Sequence, residues 1–347
     1  MSDTPSLDEI RRLLRELPGP DLEAATAAVQ REKLLTKPRG ALGRLEQLSE
    51  WMATWQGRTP PVLRHPRVAV FAGNHGVASH GVSAFPPEVT AQMVRNFIEG
   101  GAAVNQLCRE ADADLRVYEL DLDSPTKDFT LGPAMTEEEC ARAIAYGMMA
   151  VETGIDLLCL GEMGIANTTS AAALCLALFG GNAEDWTGPG TGLDTAGVSR
   201  KAQVVAAGIA ANPEAAADPF EALRRLGGFE LCAITGAVMA ARLARVPVVL
   251  DGFACTAAAA VLFKADPRAL DHCVVSHRSA EPGHTRLLQA LGKEPLFEFG
   301  MRLGEGSGAA LAIPVIKGAL ACHVGMATFQ EAGVSDRADA KPQGTMH

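Results

Sequence analysis

Aromatic residues make up only 5% of the 347-residue chain, and 31 lysines and arginines are outnumbered by 41 aspartates and glutamates, for a formal charge of -10. Without a basic excess or a basic run the chain lacks what nonspecific nucleic-acid binding needs, namely Lys and Arg to neutralise phosphates. None of the eight cysteines forms a C-x-x-C pair, and most lie in apolar runs such as LLCLG and GALACHVG. They read as small buried hydrophobes in a reducing compartment rather than as a disulfide framework. The N-terminus, MSDTPSLDEIRRLLREL, has no apolar signal core, and the longest apolar runs are interrupted by Gly, Pro or charge. The reading is therefore a cytoplasmic protein with no membrane span. G-x-x-x-x-G-K-[ST], G-x-G-x-x-G, H-E-x-x-H and G-x-S-x-G are all missing. Their absence argues against a P-loop, a nicotinamide dehydrogenase, a zinc protease and an α/β-hydrolase triad.

What is there is glycine (35 residues) and a 48% hydrophobic content. That composition suits close-packed helices laid on a sheet of small and branched residues. Helices are expected over 6–17 (capped by Ser6), 20–33 and 40–56, before the first strand, and these form a cap or small lobe. Apolar strands are expected at 67–73, 114–122, 155–164, 246–252 and 272–279. They alternate with helices over 88–111, 136–154, 167–181, 198–211, 220–244 (in two segments), 254–265 and 307–332. Such alternation means an α/β fold with a parallel sheet covered on both faces. Residues 1–60 read as helices of a small helical domain, 61–333 as the α/β catalytic domain, and 334–347 as an unstructured tail. Ligands of such sheets bind at the carboxyl ends of the strands. Asn74, His75, Glu162, Asp251 and the SHRSAEPGH segment all fall there.

Five stretches carry chemistry. GEMGIANTTSAAA (161–173) follows a strand and opens a helix, which makes either an anion site of backbone N–H groups or a tight turn capped by Thr168 or Thr169. Glu162 beside a phosphate would be repelled, so it suits sugar hydroxyls better. GPGTGLD (188–194) is either a nucleotide-lining loop or a flexible connection. Lys201 beyond it is a candidate phosphate contact or a solvated charge. SHRSAEPGH (276–284) offers hydrogen bonds to a polar substrate; a metal held by His277, His284, His75 and His80 has no supporting spacing. VSAFPPEVTAQMV (82–94) places Phe85 and Met93 at a loop–helix junction, where core packing is the simpler use. In LGEGSGAALA (303–312), Glu305 stands between Gly304 and Gly306. It is either a loop acid near a helix N-terminus or a general base whose pKa desolvation lifts towards neutrality.

GNHGV, GVSAFPPEVT, GEMGIANTTSAA, GPGTGLD, GGFELCAITGA, DGFACTAAA, SHRSAEPGH and MRLGEGSGAALA occur in one order. That order resembles the nicotinate-nucleotide–dimethylbenzimidazole phosphoribosyltransferase family over about residues 20–330. The resemblance implies a homodimer with a Rossmann-like large domain and a small helical domain, in the lower-ligand branch of cobalamin assembly. The reaction it implies moves 5-phosphoribose from nicotinate mononucleotide to 5,6-dimethylbenzimidazole, with no metal or cofactor. It makes Glu305 the base and Glu162 the second functional carboxylate. It assigns the phosphate and ribose to Gly164, Ile165, Ala166, Asn167, Thr168, Lys201 and Ser279, and the benzimidazole wall to Phe85, Met93, Met163 and Leu303. Ala166 stands where the family often has Gly. A transferase for another base, or a nucleotide sensor on the same fold, would share these motifs.

Overall fold

The computed structural model describes residues 5–335; the expected tail from 336 onward lies outside the described residues. Six strands form one sheet: β1 (Pro66–Ala72), β2 (Asp114–Glu119), β3 (Leu157–Met163), β4 (Val248–Leu250), β5 (Cys273–His277) and β6 (Pro295–Phe297). The order is β2-β1-β3-β4-β5-β6, and every pairing is parallel. β1 is buried along its whole length, as a strand covered on both faces must be. The chain leaves β1 to one side for β2 and returns to the other for β3. The crevice outside the carboxyl ends of β1 and β3 is thus the topological switch point where such sheets bind ligands.

The expected helix over 88–111 is broken in two, Glu88–Glu99 and Ala103–Ala111. Gly100 adopts φ +82 and closes the first as a left-handed cap. The helix Pro282–Leu291 and the edge strand β6 leave little trace in the sequence pattern. The former starts on a proline at its first turn, and the latter is too short and proline-led to show alternation.

The contact pattern divides the chain into two units: Met1–Gly19 with Arg64–Ile313, and Pro20–Leu63 with Pro314–His347. This differs from the division at 60 and 333 read from the sequence. The helix Leu7–Arg15 belongs to the large unit because Leu7, Ile10 and Leu14 enter its core, each such burial contributing about 1.5–3 kcal/mol. Arg11 also pairs with Asp218 at 2.9 Å. In the small unit the helices Leu22–Leu34 and Arg44–Gln56 are joined by residues after Pro314. Arg31 donates to the carbonyls of His323 and Val324 there, and Lys37 bridges Glu32 and Glu46 at 2.8 and 2.7 Å. By length and composition Ser307–Gly325 alone among the described helices could cross a membrane, yet half of that stretch is buried inside the protein. Ala309, Ala310, Ala312 and Ile313 are fully buried.

The core of the large unit is built from helices apolar nearly all round. Phe229–Leu243 and Phe253–Ala265 bury almost every residue, which is why alanine is the commonest residue in both. The helix Glu137–Met148 approaches Phe229–Leu243 so closely that a methyl on Gly147 would fall on the Ala233 carbonyl, and one on Gly236 on that of Ile144. Gly236→Ala is therefore expected to lower stability by about 1–3 kcal/mol, the range for overpacking, despite alanine's better helix propensity; urea melts would read it.

Candidate active site

A cavity of about 460 Å³ opens at the carboxyl ends of the strands. Of the residues singled out from the sequence, Phe85, Glu162, Met163, Gly164, Ile165, Ala166, Asn167, Thr168, Ser279 and Leu303 line it. Glu305, Lys201 and Met93 do not, although the first two reach its lining from behind.

The turn after β3 enters the helix Asn167–Phe179 through Ala166, which adopts the left-handed φ +76. The alanine methyl therefore costs about 1–2 kcal/mol of backbone strain at a position natural to glycine, and Ala166 is part of the cavity lining. Two of the five amides expected to meet phosphate are already used: Ile165 N–H donates to Thr90 Oγ1 at 3.2 Å and Asn167 N–H to the Gly164 carbonyl at 3.0 Å. Thr168 and the positive end of the helix still face the cavity.

Lys201 is fully buried, so the reading as a solvated charge fails. Its Nζ donates to Thr168 Oγ1 at 2.7 Å and to the Gly188 carbonyl at 3.2 Å. Burial pushes its pKa down to about 8, against the pull of Glu281. It stands directly behind the 164–168 turn and the GPGTG loop. Arg302, which the sequence does not single out, donates to the Gly190 carbonyl at 3.1 Å from the cavity side.

The acids are concentrated at the sheet end. Glu162, half-buried on β3, accepts a short hydrogen bond from Asn167 Nδ2. Burial raises its pKa to about 8, aided by the charges of Asp251, Glu230 and Glu305 and opposed by Asn167. Glu305 is 7% exposed, and burial lifts its pKa to about 7. Gly304, Glu305 and Gly306 all adopt left-handed backbone, φ +79, +63 and +77, a bend the flanking glycines accept without strain. A side chain at 304 would meet Glu162 Oε1 at 2.7 Å, so this glycine also leaves room for the Glu162 carboxyl. Asp251, after β4, holds this bend from beneath: its oxygens accept N–H groups of Gly306 at 3.1 Å and Ala309 at 2.9 Å. Burial raises its pKa to about 7 against those hydrogen bonds.

The four histidines of SHRSAEPGH and the β1 loop are occupied separately. His75 bridges Ser170 and Glu230 at 3.0 and 2.7 Å, and His80 meets Asp128 at 2.7 Å. His284 accepts from Ser279 N–H at 2.9 Å, and burial drives its pKa down to about 3. His277 lines the cavity with its pKa lowered by burial to about 4, so it is a neutral hydrogen-bonding wall. Among the described residues no group of three His, Cys, Asp or Glu is placed to hold a metal ion. Met93 packs near Asn96 rather than on the cavity. The sequence does not mark Asp251, Glu281 or Arg302 as site residues; the placing of Asp251 and SHRSAEPGH at strand ends is the one signal it offers.

A helix-opening turn and the Glu162 carboxyl share one cavity wall, with Glu305 beside the lining residue Gly304, an arrangement suited to an enzyme that transfers a phosphorylated group. Residues 17–334 match a family model described as phosphoribosyltransferase, and the chain belongs to the nicotinate-nucleotide–dimethylbenzimidazole phosphoribosyltransferase family. It is 56% identical to the protein of that name from Allorhizobium ampelinum, over 95% of this chain and 96% of the relative. The Sinorhizobium medicae protein is likewise 56% identical over 95% of this chain and 97% of its own length. The crystal structure of the Thermus thermophilus enzyme superposes with a TM-score of 0.85 at 42% identity, over 91% of this chain and 100% of that one.

Proposed function

We propose that the chain transfers 5-phosphoribose from nicotinate mononucleotide to 5,6-dimethylbenzimidazole, giving α-ribazole 5′-phosphate and nicotinate for the lower ligand of cobalamin. The observation that supports the residue roles is a helix-opening turn on the cavity wall with Glu162 beside it, its pKa lifted by burial to about 8, and Glu305, lifted to about 7, next to the lining residue Gly304. The donor phosphate sits at the 164–168 turn, with Ser279 beside it and Lys201 supplying positive charge through Thr168. The benzimidazole lies against Phe85, Met163 and Leu303; Met93 can shape that wall only from outside it.

The acceptor's imine nitrogen attacks the anomeric carbon as the bond to nicotinate breaks. The pyridinium takes the bonding pair and leaves as a neutral ring, so it needs no acid. Positive charge on the benzimidazole acidifies its other N–H, and the Glu305 carboxylate takes that proton. Glu162, lifted by burial to about 8 and so largely protonated near neutral pH, meets the ribose close to the reacting carbon as a hydrogen-bonding partner. A homodimeric, cytoplasmic enzyme belongs to the same reading, on the family resemblance.

The test is to mix purified protein with both substrates, without added metal, and follow products by chromatography with mass detection. A ribazole phosphate peak with equal nicotinate release is expected; donor binding without product would overturn the reading. Lys201→Ala is expected to raise the KM for nicotinate mononucleotide well above any change in the KM for benzimidazole. Equal rises would count against Lys201 serving the phosphate.

A further inference from the structure

Among the described residues lining the cavity, Arg302 alone carries a fixed positive charge. Lys201 does not itself line it: the lysine is fully buried, and its Nζ donates to Thr168 Oγ1 at 2.7 Å and to the Gly188 carbonyl at 3.2 Å. Two amides of the 164–168 turn are also engaged within the protein, on Thr90 and Gly164. Glu281 lines the same cavity, so an anion held there needs a cation in direct reach. Arg302 has that reach. It is an exposed side chain on the cavity wall, and among the described residues no carboxylate pairs with it. Its Nη1 donates to the Gly190 carbonyl at 3.1 Å, which leaves the rest of the guanidinium fork unengaged.

We infer that Arg302 is a substrate-binding residue, donating through the free part of its guanidinium to the phosphate oxygens of the donor nucleotide. This rests on the function proposed above. The donor carries two anionic groups, its phosphate and the carboxylate of its nicotinate ring, and the geometry favours the phosphate. Arg302 is tethered to Gly190, and Gly190 lies against the 164–168 turn: a side chain at 190 would come to 3.0 Å from Thr168 Oγ1 and 3.2 Å from Lys201 Nζ. The guanidinium is thus fixed close to the positive end of the helix Asn167–Phe179. The tether is itself held, because the Gly190 N–H donates to Glu281 Oε1 at 2.7 Å. A guanidinium already anchored at one nitrogen loses less freedom on binding, and its planar fork matches two oxygens of a phosphate. Lys201 then supports the subsite from behind Thr168 while Arg302 meets the anion from the cavity.

The experiment is calorimetric titration of the full chain, as wild type, Arg302→Gln and Arg302→Lys, with nicotinate mononucleotide and two analogues. Nicotinamide mononucleotide keeps the phosphate and lacks the carboxylate; nicotinate riboside keeps the carboxylate and lacks the phosphate. Arg302→Gln should weaken both mononucleotides at least about tenfold, as expected for loss of a charge-assisted hydrogen bond, and leave the riboside within about twofold of wild type. Arg302→Lys should fall between, since it keeps the charge but not the fork. Weaker binding of nicotinate mononucleotide and the riboside, with nicotinamide mononucleotide spared, would give the guanidinium to the carboxylate and overturn the inference. Equal weakening of all three ligands, or no change in any, would overturn it too. Where one analogue binds wild type too weakly to titrate, the other decides alone. Failure of wild type to bind nicotinate mononucleotide at all would instead overturn the proposed function.

Discussion

Glu305→Gln should bind nicotinate mononucleotide like wild type and turn over about 10²–10⁴-fold more slowly, the usual worth of a general base. The amide keeps the shape of the side chain but cannot accept a proton. Burial has lifted this carboxylate to about 7, so near neutral pH it is both partly ionised and basic enough to take the benzimidazole proton. The sign of the pH dependence follows. Below about 7 the group is protonated and idle, so wild-type kcat should fall as pH drops through that value, and the variant's residual rate should lose that limb. Single-turnover rates from about pH 5.5 to 8.5, bracketing that value, with donor affinity measured separately, would check both. Turnover within a few-fold of wild type would remove Glu305 from the mechanism.

Asp251→Asn should damage stability and rate together. Asp251 is fully buried and serves two separate backbone donors, Gly306 through Oδ2 and Ala309 through Oδ1. Asparagine has one acceptor oxygen, and its NH₂ would confront the other N–H. A buried donor left unsatisfied costs about 1–3 kcal/mol. The bend that carries Glu305 lies directly on those hydrogen bonds, and misplacement of a reacting group by about 1 Å can cost about 10²-fold in rate. Urea melts and kcat on the same preparation would test it; a stable variant with normal kcat would show the bend to be held by other contacts. The wild-type acids also predict a slope. Asp251 and Glu162 titrate near 7 and 8 when folded, against about 4 when unfolded. Their raised folded pKa values mean they contribute stability that is fully present below about pH 4 and lost as pH rises through about 7 to 8. The Asn variant should show a shallower decline over that window.

Five of the six strands and the parallel sense of the sheet are legible in the sequence because most are apolar runs that alternate with helices, while β6 and the strand order are not. The turn after β3 is legible for the same reason, since GEMGIANTTS follows a strand and opens a helix. Lys201 shows what is not. Nothing local distinguishes a buried lysine from a surface one on VSRKAQVV; only the distant Thr168 and Gly188, brought in by the fold, give it partners. Ala166 misleads in a related way, because a left-handed backbone is invisible from the residue's name.

The division inside the last long helix, between Ile313 and Pro314, bears on how this protein can be dissected. Neither unit is a single stretch of chain, so no single truncation frees one intact. A fragment ending at 313 would expose a cut helix whose first residues hold Glu305 in place, and one beginning at 64 would discard the leucines that the first helix contributes. Work on isolated pieces would thus call for grafting or permuting the gene rather than trimming it. A peptidase nick in the 57–65 connection, which contains Pro60 and Pro61, would leave residues of both units on each side of the cut, so neither product would carry a complete unit.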